Sequence, residues 1–489
     1  MIEVIKNDPT KYAEKAMLFS DPNLPPTFLH HYFNALKDAV RNNKEISWTP
    51  VIELMTLLIT KAKNNNLPII EREEDDWGID WSNTFQNMVD LIENGLASST
   101  VGIPFTHRED VWQIVEYICE DKEPDLEYEK KYGGDNSDYY HLSINTARGE
   151  AFHALFQYMF WCEKNLKSKS ANKIPPEVKR VLENHLDTKV EPGMTVRSVY
   201  GRFFPWIYSF DEEWSKQNIA KLFPLEDLPR RYAAWETYLL NAVYSKTFED
   251  LRPQYAQAIL ELKKPSLKHS KGDLDPFERL INHLMIAYAY GIIEYDDALL
   301  KSFYNEANKE QLGTAVNFMG RVYIASEKSA REEDPEKDRL KSFWELRLNE
   351  STSIEELMEF GWWVKESYFD DNWMLEKLLE TLNKTNGIIE PNYRVLESLK
   401  KLAFLHPLLV AQCLLKIVRS KRQDQFLRMA REEDVRSIVE SLYKNENVQV
   451  RKIISQVSDH MLRLGNNDFR VFIKPIDEPI EPRDDVQEN

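Results

Sequence analysis

His141 and His153 lie on either side of Glu150 near the start of a long helical run. Two imidazoles with a carboxylate have the composition of a general acid–base group, and hydrogen-bonded histidines on a helix surface satisfy the same pattern. His30 and His31 adjoin within one helix, where neighbouring residues point about 100° apart, so they are poorly placed to share a metal. Carboxylate runs occur at Glu71–Asp76 and Asp370–Asp371. Paired acids do proton-transfer work when burial separates their pKa values, but in polar segments between helices capping and solvation account for them. Cys119, Cys162 and Cys413 are far apart and form no Cys-x-x-Cys, which argues against a disulfide framework or a zinc site. There is no Gly-Lys dipeptide, hence no Walker A loop, and no GxGxxG, GxSxG or HExxH. No catalytic, cofactor or metal residue is nominated, and the expectation is a binding protein rather than an enzyme.

Aromatic and basic residues offer more. Trp362, Trp363, Tyr368, Phe369 and Trp373 crowd one stretch; Tyr200, Phe203, Phe204, Trp206, Tyr208, Phe210 and Trp214 crowd another. Exposed rings of this kind anchor protein partners, whereas buried ones fill the space between helices. Adjacent Trp362 and Trp363 cannot face the same side. A basic stripe, Lys416, Arg419, Lys421, Arg422, Arg428 and Arg431, offers a docking patch for an acidic partner or a nucleic-acid strand; cations at a helix C-terminus are a sufficient explanation of it. The candidate partner-binding set is Trp362, Trp363, Tyr368, Trp373, Arg419 and Arg422.

The elements that must position these residues are helical throughout. Phe28, Tyr32, Leu36 and Val40 recur at four-residue spacing. Thr49-Pro50 predicts a helix start with proline in the first turn, Thr106 with Glu109 a capping box, and Asp275-Pro276 a helix closing near Gly291. Further helices are expected over Thr146–Leu166, Arg230–Val243, Phe248–Lys263, Ile354–Glu366, Asn392–Phe404 and Val448–Leu464, in a total of roughly eighteen. Short Pro-, Asn- and Asp-bearing connections make successive helices antiparallel. The expected architecture is an all-α solenoid of helix pairs, HEAT- or TPR-like with degenerate repeats of about 40 residues. Segments 121–138, 264–273 and 331–337 are expected as linkers. The expected divisions are an N-terminal helical segment over 1–120, a helical core over 139–263, a C-terminal repeat segment over 274–473 and a disordered acidic tail over 476–489.

Composition narrows the class. The 489 residues carry 63 Lys and Arg against 81 Asp and Glu, a net charge of −18. Such a field repels phosphate backbones and argues against a broad nucleic-acid surface. The longest apolar stretch, Leu402–Val418, is broken by His406, Pro407, Gln412 and Lys416, so no membrane span is expected. The first residues lack the basic-then-apolar order of a signal peptide, and the expected location is cytoplasmic.

Several phrases occur together: SINTARGEAFHALFQYMFW (143–161), SVYGRFFPWIYSFDEEW (198–214), Phe223-Pro224, RYAAWETYLL (231–240) and LRPQYAQAI (251–259). In this order the chain resembles the C-terminal helical region of large multidomain bacterial anti-phage defence proteins, the STAND-like NTPases and sirtuin-linked relatives. The resemblance is clearest over 140–260. It implies a sensor or regulatory helical region that binds a phage protein or a defence NTPase or effector partner, with homo-oligomer assembly as the alternative role. The effector and NTPase domains of those relatives have no counterpart here, which implies a portion of a longer protein or a separate subunit. No catalytic residue carries over. The signature residues Arg148, Gly149, Tyr200, Gly201, Trp214 and Trp235 are expected to be architectural: Arg148 pairing an acidic loop, Gly149 and Gly201 allowing close helix approach, and the two tryptophans locking neighbouring helices.

Overall fold

A computed structural model describes residues 2–21, 24–67, 79–133, 138–166, 173–264, 275–325, 336–420 and 432–473. Every regular element among them is a helix, and none is a strand. The chain divides into two compact units, Met1–Gln254 with Ser266–Pro276, and Tyr255–Pro265 with Phe277–Asn489.

In the first unit the main helices are α1 (Pro26–Arg41), α2 (Trp48–Lys63), α3 (Trp81–Ala97), α4 (Arg108–Cys119), α5 (Leu126–Tyr132), α6 (Tyr139–Ser143), α7 (Ala147–Leu166), α8 (Pro176–Leu186), α9 (Thr195–Phe210), α10 (Glu212–Leu222) and α11 (Leu228–Tyr238). Helix α1 packs on α3, α3 on α7, α7 on α9 and α9 on α11, while α2 packs on α4 and α4 on α7. The expected boundary between 120 and 139 is therefore absent, because α3 and α7, from the two sides of it, pack together.

Local chemistry explains the starts. Pro26 opens α1, where its missing N–H costs nothing. Asp80 and Asn83 cap α3 reciprocally. The α1 stripe begins at Leu29 and runs through Tyr32, Phe33, Leu36 and Val40; Phe28, expected on it, is 45% exposed. Thr106 makes no capping box: a short 3-10 turn, Phe105–His107, precedes α4, whose cap residue His107 offers no side-chain bond. The expected helix over Phe248–Lys263 breaks into Ser245–Asp250 and Arg252–Leu260. Pro253 lacks an N–H and restricts the residue before it, so a new helix starts there.

The stretch 121–138, expected as a linker, contains α5. Its Glu129 is buried, and its carboxylate accepts the backbone N–H groups of Met194 (2.8 Å) and Thr195 (2.7 Å) at the start of α9. Those donors have no partner within their own helix.

In the second unit the principal helices are α12 (Pro276–Ala289), α13 (Lys309–Met319), α14 (Glu336–Glu350), α15 (Ile354–Leu357), α16 (Asp371–Lys384), α17 (Asn392–Leu402), α18 (Pro407–Val418), α19 (Glu432–Tyr443) and α20 (Val448–Arg463). Helix α13 runs into a π-helical turn, Gly320–Ile324, and α15 into a 3-10 segment, Met358–Trp363. The expected helix to Glu366 thus ends early. Alternate helices stack: α14 on α16, α16 on α18, α18 on α20; in a second row the 3-10 segment lies on α17, and α17 on α19. A buried ion pair joins α14 to α15. Arg347 donates to both carboxylate oxygens of Glu356, at 2.6 and 3.0 Å, and Ser351 donates to the same carboxylate at 2.6 Å.

Candidate functional site

The aromatic stretch 362–373 is divided by depth. Trp363 is fully buried, stacked on Phe343 at 5.7 Å, and its indole N–H donates to the Val316 carbonyl at 2.9 Å. Tyr368 is buried at 6% exposure. Neither ring is available as a partner anchor, because both fill the space beside α14 and α16. Trp362 and Trp373 are half-buried. Trp373 donates to Glu345 at 3.0 Å, and Lys341 lies over its ring.

Trp362 sits where the π-helical turn meets the 3-10 segment. Gly320 makes this approach possible, since a Cβ there would overlap Trp362 and Trp363. Two guanidinium groups lie over the Trp362 ring, Arg321 at 5.4 Å and Arg394 at 5.6 Å from its centroid. The neighbouring Glu359 carboxyl is bonded by the Asn317 amide at 2.7 Å and by Trp362. Burial pushes the Glu359 pKa up, and nearby Glu390 acts in the same direction.

Two residues outside the expected set stand out. Phe404 is 88% exposed and Leu405 66%, side by side in the turn between α17 and α18. The apolar run Leu402–Leu405 contained the signal, but periodicity placed Phe404 inside a helix that ends at Leu402. Arg419 is exposed and donates to Gln456 at 2.9 Å. Arg422, with Lys421, Arg428 and Arg431, falls outside the described residues, as do the Glu71–Asp76 run and the acidic tail.

Among the described residues, His153, Glu150, Glu93 and Asp90 have partners within the protein. His141 is exposed, whereas His153 and Glu150 are buried with different partners, so the three do not form one group. The Ser143 hydroxyl donates to the Tyr140 carbonyl at 2.7 Å, so its 2.8 Å contact with His153 Nε2 is accepted from an N–H. A histidine serving as donor is not a base for that serine. Burial lowers the His153 pKa to about 4. Asp90, Glu93 and Glu150 bring three carboxylate oxygens within 4.8 Å, enough to hold a cation. Asp90 already pairs with Lys37 at 2.7 Å and Arg41 at 3.1 Å. Burial pushes Glu93 and Glu150 up, Glu150 strongly, and they bond one another, as two carboxyls sharing a proton do. All three cysteines are free and buried.

The signature residues make internal contacts within the first unit. Arg148 donates to the backbone carbonyls of Asp121 and Pro124 and reaches Glu191 at 3.3 Å. A Cβ on Gly149 would overlap the Ser143 backbone, and one on Gly201 the Ala234 carbonyl of α11. The Tyr200 hydroxyl donates to Leu182 at 2.7 Å, and the Trp214 indole to Glu183 at 3.0 Å. Trp235 stacks on Tyr238 at 5.3 Å. The pattern missed Arg197, which is 1% exposed and donates to the terminal carbonyls of α10, through Lys221 at 3.1 Å, and of α8, through Leu186 at 3.5 Å. Its charge faces the negative ends of two helices.

Fold and site together define an all-α protein with an exposed apolar turn on its second unit. No protein-family model, curated protein or solved structure matches the chain. No helix among the described residues is long and apolar enough to cross a membrane.

Proposed function

We propose that the chain is a protein-recognition module built from stacked helix pairs in the manner of an α-solenoid. The observation that carries this reading is the Phe404–Leu405 turn, two adjacent apolar side chains at 88% and 66% exposure. Isolated exposed apolar residues are ordinary, but a large aromatic beside a leucine at a turn tip is the kind of anchor that a partner pocket covers. The stacking of alternate helices within each unit supports the solenoid reading, since an array of this kind presents successive turns along one edge. A role as the sensor or regulatory region of a bacterial anti-phage system rests on the resemblance over 140–260 alone.

The test is to express the tagged chain in a bacterial host, challenge it with a panel of phages and identify the proteins that co-purify. The reading expects a phage or host protein that is recovered by the wild type and lost by a Phe404→Ser/Leu405→Ser variant of unchanged thermal stability. Recovery of the chain alone, as a defined oligomer, replaces recognition with scaffolding.

A further inference from the structure

Many arginines of the chain have acceptors within it: Arg41 pairs with Asp90, Arg108 with Glu177, Arg339 with Glu294 and Arg347 with Glu356, while Arg197 donates to carbonyls and Arg419 to Gln456. Arg321 and Arg394 depart from this. Among the described residues, neither side chain has an ion pair or a hydrogen-bond acceptor, and the one partner of both is the Trp362 ring. The Arg394 Nε is buried with no acceptor. A buried donor left unmatched calls for an acceptor, such as an ordered water or an ion. The Nε atoms of Arg148, Arg197 and Arg230 share this property, so it is the pairing of two guanidinium groups on one ring that sets this place apart. Two cations sharing one ring also repel each other, an arrangement that an anion between or beside them relieves.

The surroundings hold this pair in place. Arg321 projects from the π-helical turn Gly320–Ile324, a distortion that re-aims side chains and recurs at functional sites. Trp362 is seated against Gly320 and bonded to Glu359. Glu359 is already engaged by Asn317 and Trp362, and burial disfavours its charge, so it does not satisfy either arginine.

We propose that Arg321, Arg394 and Trp362 form a binding site for a phosphate monoester, the two guanidinium forks receiving the phosphate oxygens while the indole holds both arginines in place. Two guanidinium charges match the −1.5 to −2 charge of such a group near neutral pH, and planar forks suit its oxygens. The site lies apart from the Phe404–Leu405 turn in sequence and does not depend on the recognition reading.

The experiment is calorimetric titration of the full chain with O-phosphoserine, a short phosphoserine peptide, inorganic phosphate, sulfate and acetate, followed by phosphorus NMR of the phosphoserine resonance. Expected are saturable phosphate binding that weakens with added salt, and a loss of at least about tenfold in affinity in Arg321→Gln and in Arg394→Gln. Circular dichroism confirms that each variant keeps its helix content, and Arg321, being exposed, gives the variant least coupled to folding. A peptide preferred over inorganic phosphate identifies a phosphorylated chain as the source, whereas equal affinity identifies a small phosphate compound; both support the site. No saturable binding by the wild type overturns it. So does equal binding of sulfate and acetate, an adventitious ion only, or an Arg321→Gln variant that binds phosphoserine unchanged.

Discussion

Burial, rather than residue type, decides what the reactive groups do. Desolvation pushes the Cys162 thiol up to about 11, and Cys119 and Cys413 are raised as well. Since the thiolate is the reactive form, native protein at pH 8 is expected to resist iodoacetamide at all three positions, with full labelling on denaturation; rapid native labelling would contradict the placement. The Glu93–Glu150 pair gives a pH signature. Both carboxyls are raised above the usual value of 4.5, so the folded chain holds a proton that the unfolded chain releases. Its stabilisation is complete below about pH 4.5 and is lost as pH rises through the raised values. Thermal melts from pH 5 to 8 should therefore decline more steeply for wild type than for Glu150→Gln, in which an amide replaces the protonated carboxyl. Parallel declines would show that the proton is not shared. His153 acts in the opposite direction: its pKa is lowered to about 4, so its contribution is present above about pH 6.5 and lost as pH falls through 4.

At the scale of helices, close approach and capping set the geometry. Helices α9 and α11 meet at Gly201, where a Cβ would overlap the Ala234 backbone. A backbone atom cannot swing aside as a side chain does, so Gly201→Ala is expected to cost about 3 kcal/mol or more, read as a shift in the denaturation midpoint. Phe404→Ser/Leu405→Ser, at an exposed turn, should change stability by no more than about 0.5 kcal/mol. A large loss there would mean that the turn is packed rather than available. Helix α5 shows what pattern reading overlooks: seven residues in a charged stretch read as a linker, yet Glu129 within it satisfies the first N–H groups of α9. That bond joins positions far apart in sequence, and no local rule anticipates it.

Across the whole molecule there are two compact units. Large chains with separate cores depart from two-state unfolding. Calorimetry is expected to resolve two transitions, with Trp235→Ala lowering one and Trp344→Ala the other. Each removes a buried aromatic, at a cost of about 3–5 kcal/mol. Trp235 is 3% exposed, and Trp344 is fully buried against Phe360 at a ring separation of 5.0 Å. A single transition moved by both variants would show one cooperative core.

The sequence by itself determined the all-helical class and most helix positions to within a few residues. Apolar periodicity, prolines in first turns and helix-end polar residues act over one or two turns, so they are legible in the chain. Tertiary structure alone decided which of Trp362 and Trp363 is buried, that Phe404 and Leu405 are exposed together, that Glu93 and Glu150 meet, and that α3 packs on α7. Those outcomes depend on which surfaces of distant helices come into contact, and a spacing of three or four residues identifies an apolar face without identifying what covers it.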